Sequence, residues 1–198
     1  MKILNIITSV GGENSSSAKL ANAIIDKLVK ANPESTITTR NLVSSSLPHY
    51  SEMHLKALIL HQENTLPEAA QIRKLSDELI DELFQADVLV ISLPMYNFGI
   101  PSTLKAWIDH ICVAGKTFTY DERGPEGLVT GKKVFVAISS GGVYSGGPMQ
   151  AYDFTESYLT AVLGFLGMTD ITIQRVEGTS VPGLKETALE RSIAEIAI

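Results

Sequence analysis

The sequence predicts an α/β fold: a doubly wound, parallel five-stranded sheet with helices on both faces, three layers in all. Short apolar runs rich in β-branched residues alternate along the chain with longer stretches of helical periodicity, a pattern typical of repeated strand–helix units. The strand runs are apolar at nearly every position, as is typical of strands buried on both faces. The alternation continues without a repeat or a linker, so we expect residues 1–198 to form a single domain.

The first 66 residues supply two strands and one helix. Residues 2–9 form the first strand pattern and end in a polar loop, and the helix that follows ends at Asn32-Pro33. Residues 35–42 alternate in polarity as expected for a second strand. The stretch 43–66 has no clear period and predicts no element.

The rest of the chain repeats the strand–helix unit. An amphipathic helix begins at Pro67, and residues 87–94 form the strongest strand pattern of the chain. Residues 117–131, which include a Gly/Pro-rich turn, interrupt the alternation as an excursion. The other predicted elements are a helix beginning at Pro101, a strand at 132–139, a helix at 152–166, a strand at 169–176 and a helix at 184–197.

Charge and composition argue against several classes of function. The formal net charge is −6 and the basic residues do not cluster, which disfavours binding to nucleic acid. Cys112 is the single cysteine, so no internal disulfide forms, and its apolar surroundings predict a buried structural thiol in a reducing compartment. No apolar stretch is long enough to cross a membrane. We therefore expect a soluble, cytoplasmic protein with no nucleic-acid or membrane partner.

The predicted topology places the ligand site. In a doubly wound sheet, ligands bind outside the carboxyl ends of the strands, where the strand order reverses. For the strand order 2-1-3-4-5, this switch lies between the first and third strands. The loops after the first, third and fourth strands are therefore the candidates, and they are also the most unusual segments of the sequence.

The first of these, the serine loop (residues 9–17), suits a single phosphate. Its hydroxyls and the free amides of a helix N-terminus are hydrogen-bond donors to an anion. The loop contains Glu13 but no Lys or Arg, and it matches neither GxxxxGK[ST] nor GxGxxG. The alternative that one serine only caps the helix stays open. The candidate ligands of the phosphate are Ser9, Ser15, Ser16 and Ser17.

The other two candidate loops suit a flat ring. The aromatic turn (residues 95–100) places Tyr96 and Phe98 at the centre of the crevice, where an aromatic edge with free amides fits a planar heterocycle. The glycine loop (residues 139–144) allows a backbone to approach a ligand closely. Core packing for Met95, and a plain flexible turn for the glycine loop, are the alternatives.

Three segments make the chain resemble the FMN-dependent NADH-azoreductases, relatives of the NAD(P)H:quinone reductases with a flavodoxin-like fold: MYNFGIPSTLKAWID, GKTFTYDERGPEGLVTGKK and SSGGVYSGGP. The resemblance covers nearly the whole chain. It implies an FMN-dependent enzyme that oxidises NADH or NADPH and reduces quinones or azo compounds. It also implies a homodimer with two sites at the interface.

The resemblance assigns the FMN phosphate to the serine loop and the two edges of the isoalloxazine ring to the aromatic turn and the glycine loop. Since the flavin performs the chemistry, no catalytic protein residue is expected. Many relatives have Arg where this chain has Ser140, which leaves the preferred acceptor open. The implied FMN-binding residues are Ser9, Ser15, Ser16, Ser17, Met95, Tyr96, Asn97, Phe98, Ser139, Ser140, Gly141 and Gly142.

Further aromatic side chains are candidates for a substrate pocket that sandwiches flat molecules. These are Phe118, Tyr120 and Tyr144. For Phe118 and Tyr120, packing at a dimer contact is an equally open role. Donors toward the flavin ring are expected from the amides of Asn97 or Phe98 and of Gly141 or Gly142. Specificity is expected to vary in the stretch 43–66.

Three other functions fit the sequence less well. A flavodoxin-type electron carrier shares the fold, but such carriers tend to be shorter and lack the aromatic pocket. A hydrolase would need a motif such as G-x-S-x-G or H-E-x-x-H, and a receiver domain would need acidic residues where Ser9 and Pro94 stand. The histidines lack metal-ligand spacing, so no metal is expected. Those in the irregular stretch are expected at the surface: His49, His54 and His61.

Overall fold

The computed structural model describes residues 1–45, 47–60, 62 and 65–198. Its strands are β1 (Lys2–Ile7), β2 (Thr36–Asn41), β3 (Val88–Pro94), β4 (Phe118–Asp121), β5 (Gly124–Gly127), β6 (Lys133–Ser139) and β7 (Asp170–Val176). Five of them form a parallel sheet in the order β2-β1-β3-β6-β7. Counted along the sheet strands alone, this is the order 2-1-3-4-5, so the predicted fold class is confirmed. Strands β4 and β5 form an antiparallel hairpin inside the predicted excursion.

The helices cover both faces of the sheet. They are α1 (Ser16–Ala31), α2 (Glu52–His54), α3 (Pro67–Gln85), α4 (Ser102–Ile111), α5 (Thr155–Phe165) and α6 (Ala188–Ala194). Because successive side chains of a strand point to opposite faces, Leu4 and Ile6 of β1 face the apolar layer beneath α3, α4 and α5, whereas Ile3 faces the layer beneath α1 and α6. Among the helices that the structure describes, none is long and apolar enough to cross a membrane.

The stretch without a clear period contains a helix of unusual pitch. Helix α2 continues as a π-helical turn over Leu55–Ile59, closed by a hydrogen bond from the amide of Leu60 to the carbonyl of Leu55. A turn with i→i+5 bonding has no 3.6-residue period, which is why the sequence predicted no element here. The expectation that His54 lies at the surface is wrong, because it is 2% exposed. His49 is exposed, and His61 lies outside the described residues.

Two predicted helices are shorter than their patterns. The helix predicted at 152–166 begins at Thr155, because the carboxylate of Asp153 accepts the amide of Thr155 at 2.9 Å and caps the helix there. The helix predicted at 184–197 is helical only over Ala188–Ala194. Ahead of it, Leu184 and Thr187 make i→i+3 turn bonds instead.

Candidate functional site

The three candidate loops lie at the same end of the sheet, the one formed by the carboxyl ends of the strands. Strands β1, β3 and β6 are parallel neighbours, so their carboxyl ends lie side by side. The amide of Met95, just after β3, donates to the carbonyl of Ser139 at the end of β6 (2.8 Å). The amide of Thr8, just after β1, donates to Ser92 of β3 (3.2 Å). The carboxyl ends of the three strands that precede the candidate loops therefore lie side by side at the switch in strand order, and the site itself stays a prediction.

The serine loop gathers hydroxyl groups at the positive end of α1. Ser15 caps the helix by accepting the amide of Ala18 at 3.2 Å, and its hydroxyl lies 3.0 Å from that of Ser17. Ser9 accepts the amide of Gly11 at 3.2 Å, and the side chains of Ser9, Ser15 and Ser17 are buried. The helix offers the amides of its first turn no internal acceptor. Ser15 therefore does cap the helix, and other amides of the first turn of α1 remain free to donate to an anion.

The aromatic turn holds its chain in a conformation that side chains rarely adopt. Tyr96 and Gly99 exchange two backbone hydrogen bonds of 3.0 Å, and the residues between them, Asn97 and Phe98, have φ angles of 48° and 70°. Positive φ at both central positions defines a type I′ turn, which is unfavourable for a bulky residue such as Phe98. Among the described residues, the amides of Asn97 and Phe98 have no acceptor. Strained backbone of this kind clusters at ligand sites.

Aromatic rings cluster beside this turn. The ring of Phe98 lies 5.4 Å from that of Tyr152 and 6.2 Å from that of Tyr144, centroid to centroid. We call these three side chains the aromatic wall. Phe98 and Tyr96 are 41% and 42% exposed, and Phe154, whose amide donates to the carbonyl of Phe98 at 3.1 Å, is also exposed. Exposed apolar patches of this kind mark binding surfaces.

The glycine loop is held tightly by the chain that follows β7. The carbonyls of Gly141 and Gly142 accept the amides of Ser180 and Gly178, each at 3.0 Å. A Cβ at Gly141 would lie 3.0 Å from the hydroxyl of Ser180, and one at Gly142 would lie 3.2 Å from the ring of Tyr144. These glycines are therefore closely packed within the protein, besides any role toward a ligand.

Ser140 occupies its position without supplying charge. Its side chain is buried, and its hydroxyl donates to the carbonyl of Gly142 at 2.9 Å. Ser139 is half-buried at the end of β6. Ser140 therefore stabilises the glycine loop through this internal hydrogen bond, and it places no positive charge beside the loop.

The structure places Phe118 and Tyr120 away from these loops. Phe118 packs on Phe165 at the far end of α5, with 4.6 Å between ring centroids. Helix α5 begins beside the aromatic wall and has 11 residues, so its far end lies about 16 Å away at 1.5 Å per residue. Tyr120 contacts Phe118 and is 67% exposed. Of the three predicted pocket residues, Tyr144 alone lies in one of the candidate loops of the same chain. A role for Phe118 and Tyr120 in a substrate pocket stays a prediction.

Several site residues escaped prediction from the sequence. Tyr152 and Phe154 complete the aromatic surface, and a run of two aromatic residues around Asp153 was the only signal for them. Nothing local marked Arg175 or Glu177, which contact the site segments from β7 and from just beyond it. Their contacts depend on which loops the sheet brings together.

Cys112 shows no sign of a nucleophile. Its thiol is half-buried, and burial raises its pKa to about 11, with a smaller contribution from Asp109. A thiol with such a pKa stays protonated near neutral pH and is inert. In the described ranges, no three His, Cys, Asp or Glu side chains are grouped as a metal site requires.

Comparison with known proteins gives a consistent result. A family model, Flavodoxin_2, described as a flavodoxin-like fold, matches residues 1–197. An FMN-dependent NADH:quinone oxidoreductase of Herminiimonas arsenicoxydans is 49% identical over 180 residues, covering 91% of this chain and 88% of the relative. One of Mesorhizobium japonicum is 41% identical over 197 residues, covering 99% and 94%.

Solved structures of similar shape include azoreductases. An azoreductase from Bacillus anthracis str. Sterne superimposes with a TM-score of 0.90 at 28% identity, covering 98% of this chain and 96% of that one. An FMN-dependent NADH-azoreductase from Bacillus anthracis str. Ames Ancestor, solved in complex with FMN, has a TM-score of 0.87 at 28% identity, covering 98% and 95%.

Proposed function

The chain belongs to the Flavodoxin_2 family of flavodoxin-like fold, and from this premise we propose that it is an FMN-dependent NADH:quinone oxidoreductase that also reduces azo compounds. The observation that carries the proposal is the meeting of the three loops at the switch in strand order, where the buried hydroxyls of the serine loop and the exposed aromatic turn follow the carboxyl ends of neighbouring strands. The names of relatives at 41–49% identity supply the donor and the acceptor. They also favour NADH over NADPH, and they do not favour a flavodoxin-type electron carrier.

The described residues fit the phosphate of FMN. Three buried serine hydroxyls and the first-turn amides of α1 form a set of neutral donors at the positive end of a helix dipole. Hydroxyls and amides bind a phosphate monoester without a cation. We assign the phosphate to Ser9, Ser15, Ser16 and Ser17.

The described residues also fit a flat ring system. The free amides of Asn97 and Phe98 are donors aimed away from their turn, and the neighbouring rings offer apolar surface. We assign the ring to the aromatic turn and the glycine loop. The residues in this assignment are Met95, Tyr96, Asn97, Phe98, Ser139, Ser140, Gly141 and Gly142.

When bound, FMN supplies the redox chemistry, accepting a hydride from NADH and passing two electrons to the quinone or azo acceptor. The chain positions the reactants. The aromatic wall stacks on flat substrates and excludes water, and the fixed amide donors stabilise negative charge without reorganisation. No protein residue is required as a nucleophile or a general acid.

We also propose a homodimer that acts in the cytoplasm. The hairpin β4–β5 exposes Tyr120 beside Phe118, an aromatic surface that a second subunit would cover. The half-buried, protonated thiol of Cys112 suits a reducing compartment. Light scattering should give a mass near twice 21.4 kDa, and Tyr120→Glu should lower it. A wild-type monomer at micromolar concentration would contradict the dimer.

The visible spectrum tests the function. Purified protein should show flavin bands that bleach on addition of NADH without oxygen and recover on addition of a quinone. Bands that bleach with dithionite but persist with NADH would indicate an electron carrier instead. Failure to bind FMN after reconstitution would overturn the proposal.

A further inference from the structure

Arg175 of β7 lies at the junction between the sheet and two segments of the site. Its side chain is 11% exposed. The guanidinium contacts Asp153, pairs with Glu156 at 2.6 Å and lies 3.6 Å from Glu177. Asp153 and Glu177 have side chains that are 8% and 14% exposed. One planar cation therefore joins three carboxylates, two of which are largely removed from water.

Glu177 supports the chain that carries Tyr144. One carboxylate oxygen accepts the amides of Tyr144 at 2.8 Å and Ser145 at 2.9 Å. The other accepts the hydroxyl of Ser145. Residues 175 and 177 are two apart at the end of β7, so their side chains point to the same face. Nη1 of Arg175 lies 3.6 Å from the carboxylate that fixes the backbone of Tyr144 and makes no hydrogen bond to it, so Arg175 acts on Glu177 through charge.

Asp153 supports the other side of the aromatic wall. Its carboxylate caps α5 through the amide of Thr155 at 2.9 Å. The next residue, Phe154, donates its amide to Phe98, and the preceding residue, Tyr152, packs its ring on that of Phe98. Contact with Arg175 therefore anchors the segment that places two rings of the wall.

Charge explains why a guanidinium is needed at this position. Without it, two largely buried carboxylates would lose the cation beside them, which is strongly destabilising. Burial by itself would lower the pKa of Arg175, but hydrogen bonds and charges of Glu156 and Asp153 outweigh it, so the net shift is upward and the group stays charged. A lysine would keep the charge but lose the fork that serves several carboxylates at once.

We propose that Arg175 is a positioning residue for the acceptor: through Glu177 and Asp153 it holds Tyr144, Phe98 and Tyr152 in the arrangement on which a flat quinone stacks. The choice of a quinone rests on the proposed function. The support of residues 144–154 by Arg175 does not depend on it, and the two parts are tested separately.

Hydrogen exchange of the flavin-free protein tests the support. In Arg175→Gln, amides in peptides covering residues 142–154 should exchange about tenfold faster, which corresponds to about 1.4 kcal/mol of local stability. Arg175→Lys should give a smaller increase. The matched control is Arg40→Gln, which removes a half-buried pair with Glu82 at the opposite edge of the sheet and should leave these peptides unchanged.

Glu177→Gln provides a second variant if Arg175→Gln does not fold. It keeps Arg175 but removes the charge that orders the amides of Tyr144 and Ser145. The same peptides should exchange faster. Unchanged exchange of residues 142–154 in either variant, or an increase spread over all peptides, would overturn the proposal.

A double-mutant cycle tests the effect on the acceptor. Arg175→Gln should lower kcat/KM for 2-methyl-1,4-naphthoquinone about tenfold, but less than about twofold in a Tyr144→Ala background, because coupled residues are not additive. The Kd for FMN should change by a smaller factor than kcat/KM, since the serine loop, to which the phosphate is assigned, lies at β1. Equal losses in both backgrounds would overturn the positioning role. If the wild type neither binds FMN nor oxidises NADH, the proposed function fails, while hydrogen exchange still decides the role of Arg175.

Discussion

Serine hydroxyls at the start of α1 have two roles that can be separated at the level of single residues. Ser15 caps the helix through the amide of Ala18, so its removal would weaken helix and ligand site together. Ser17 is fully buried, makes its hydrogen bond to Ser15 and caps nothing. Substitution of Ser17 therefore reports on the phosphate site.

We expect Ser17→Ala to weaken FMN binding by about tenfold to a hundredfold, since a hydrogen bond to a charged group contributes roughly 1.5–3 kcal/mol. Riboflavin lacks the phosphate, so its affinity should change little. Fluorescence titration of the flavin-free protein measures both Kd values. The control is Ser35→Ala, whose hydroxyl donates to Asn32 after α1 and should affect neither. Equal losses for both flavins would show that Ser17 stabilises the loop alone.

At the level of elements, two buried histidines pack against each other between α2 and α4. His54 and His110 are 2% and 1% exposed, with ring centroids 5.1 Å apart. His54 accepts the amide of Ser51 at 3.2 Å, and His110 shares a 2.8 Å hydrogen bond with Ser76 of α3. Burial lowers the pKa of both histidines, with the nearby charge of Asp109 opposing it in part. Both rings are therefore neutral near pH 7.

This pair should make the protein less stable in acid. Each folded pKa lies below the ordinary value of about 6.5, so the unfolded chain binds more protons as the pH falls. The contribution of the pair is fully present above about pH 6.5 and is lost as the pH falls through the lowered values. Urea unfolding near pH 7.5 and near pH 5.5 should show a lower free energy of unfolding in acid.

Two variants check the assignment to this pair. His54→Leu combined with His110→Leu should flatten the pH dependence, whatever it does to stability itself. His49→Gln, at an exposed position, should keep it. The same slope in the double variant and the wild type would assign the acid sensitivity to other groups.

The backbone of the hairpin β4–β5, at Gly127, packs directly on the backbone of the turn before β7, at Gly167. A Cβ on Gly127 would lie 2.1 Å from the amide nitrogen of Gly167. Gly127→Ala should therefore lower the free energy of unfolding by about 2 kcal/mol or more, as overpacking does. Gly164→Ala is the control: its Cβ would meet nothing within 4 Å in α5, and it should add up to ~1 kcal/mol. Similar values for both in urea unfolding would contradict this contact.

For the whole molecule, we expect donor and acceptor to use the same surface. The nicotinamide ring of NADH and a quinone are both flat, and under the proposed function each is expected to stack on the aromatic wall beside the three loops, so the two should bind in turn. Double-reciprocal plots at several quinone concentrations should give parallel lines, and quinone at high concentration should compete with NADH. Intersecting lines would show that both substrates bind together and would refute a shared surface.

The sequence by itself determined the fold and the loops in which to look for a site. Strand and helix periods are local properties, and they were sufficient for the strands of the sheet, whereas the strand order was expected from the fold class and is confirmed. The serine loop, the aromatic turn and the glycine loop stood out for the same reason, because caps, turns and glycines act over a few residues. Local patterns failed at the π-helical turn, which has no standard period, at the hairpin β4–β5, and at the ends of two helices.

Only the tertiary structure decided how these pieces meet. Arg175 contacts Asp153 across 22 residues of sequence, and His54 packs on His110 although a polar residue in an irregular stretch indicates a surface position. Phe98 faces Tyr152, and the amide of Phe154, just before α5, donates to the carbonyl of Phe98. Such contacts depend on the packing of distant segments, and burial changes the charge preferences of the groups involved. No local pattern carries that information, so the supports of the aromatic wall became visible only in the folded chain.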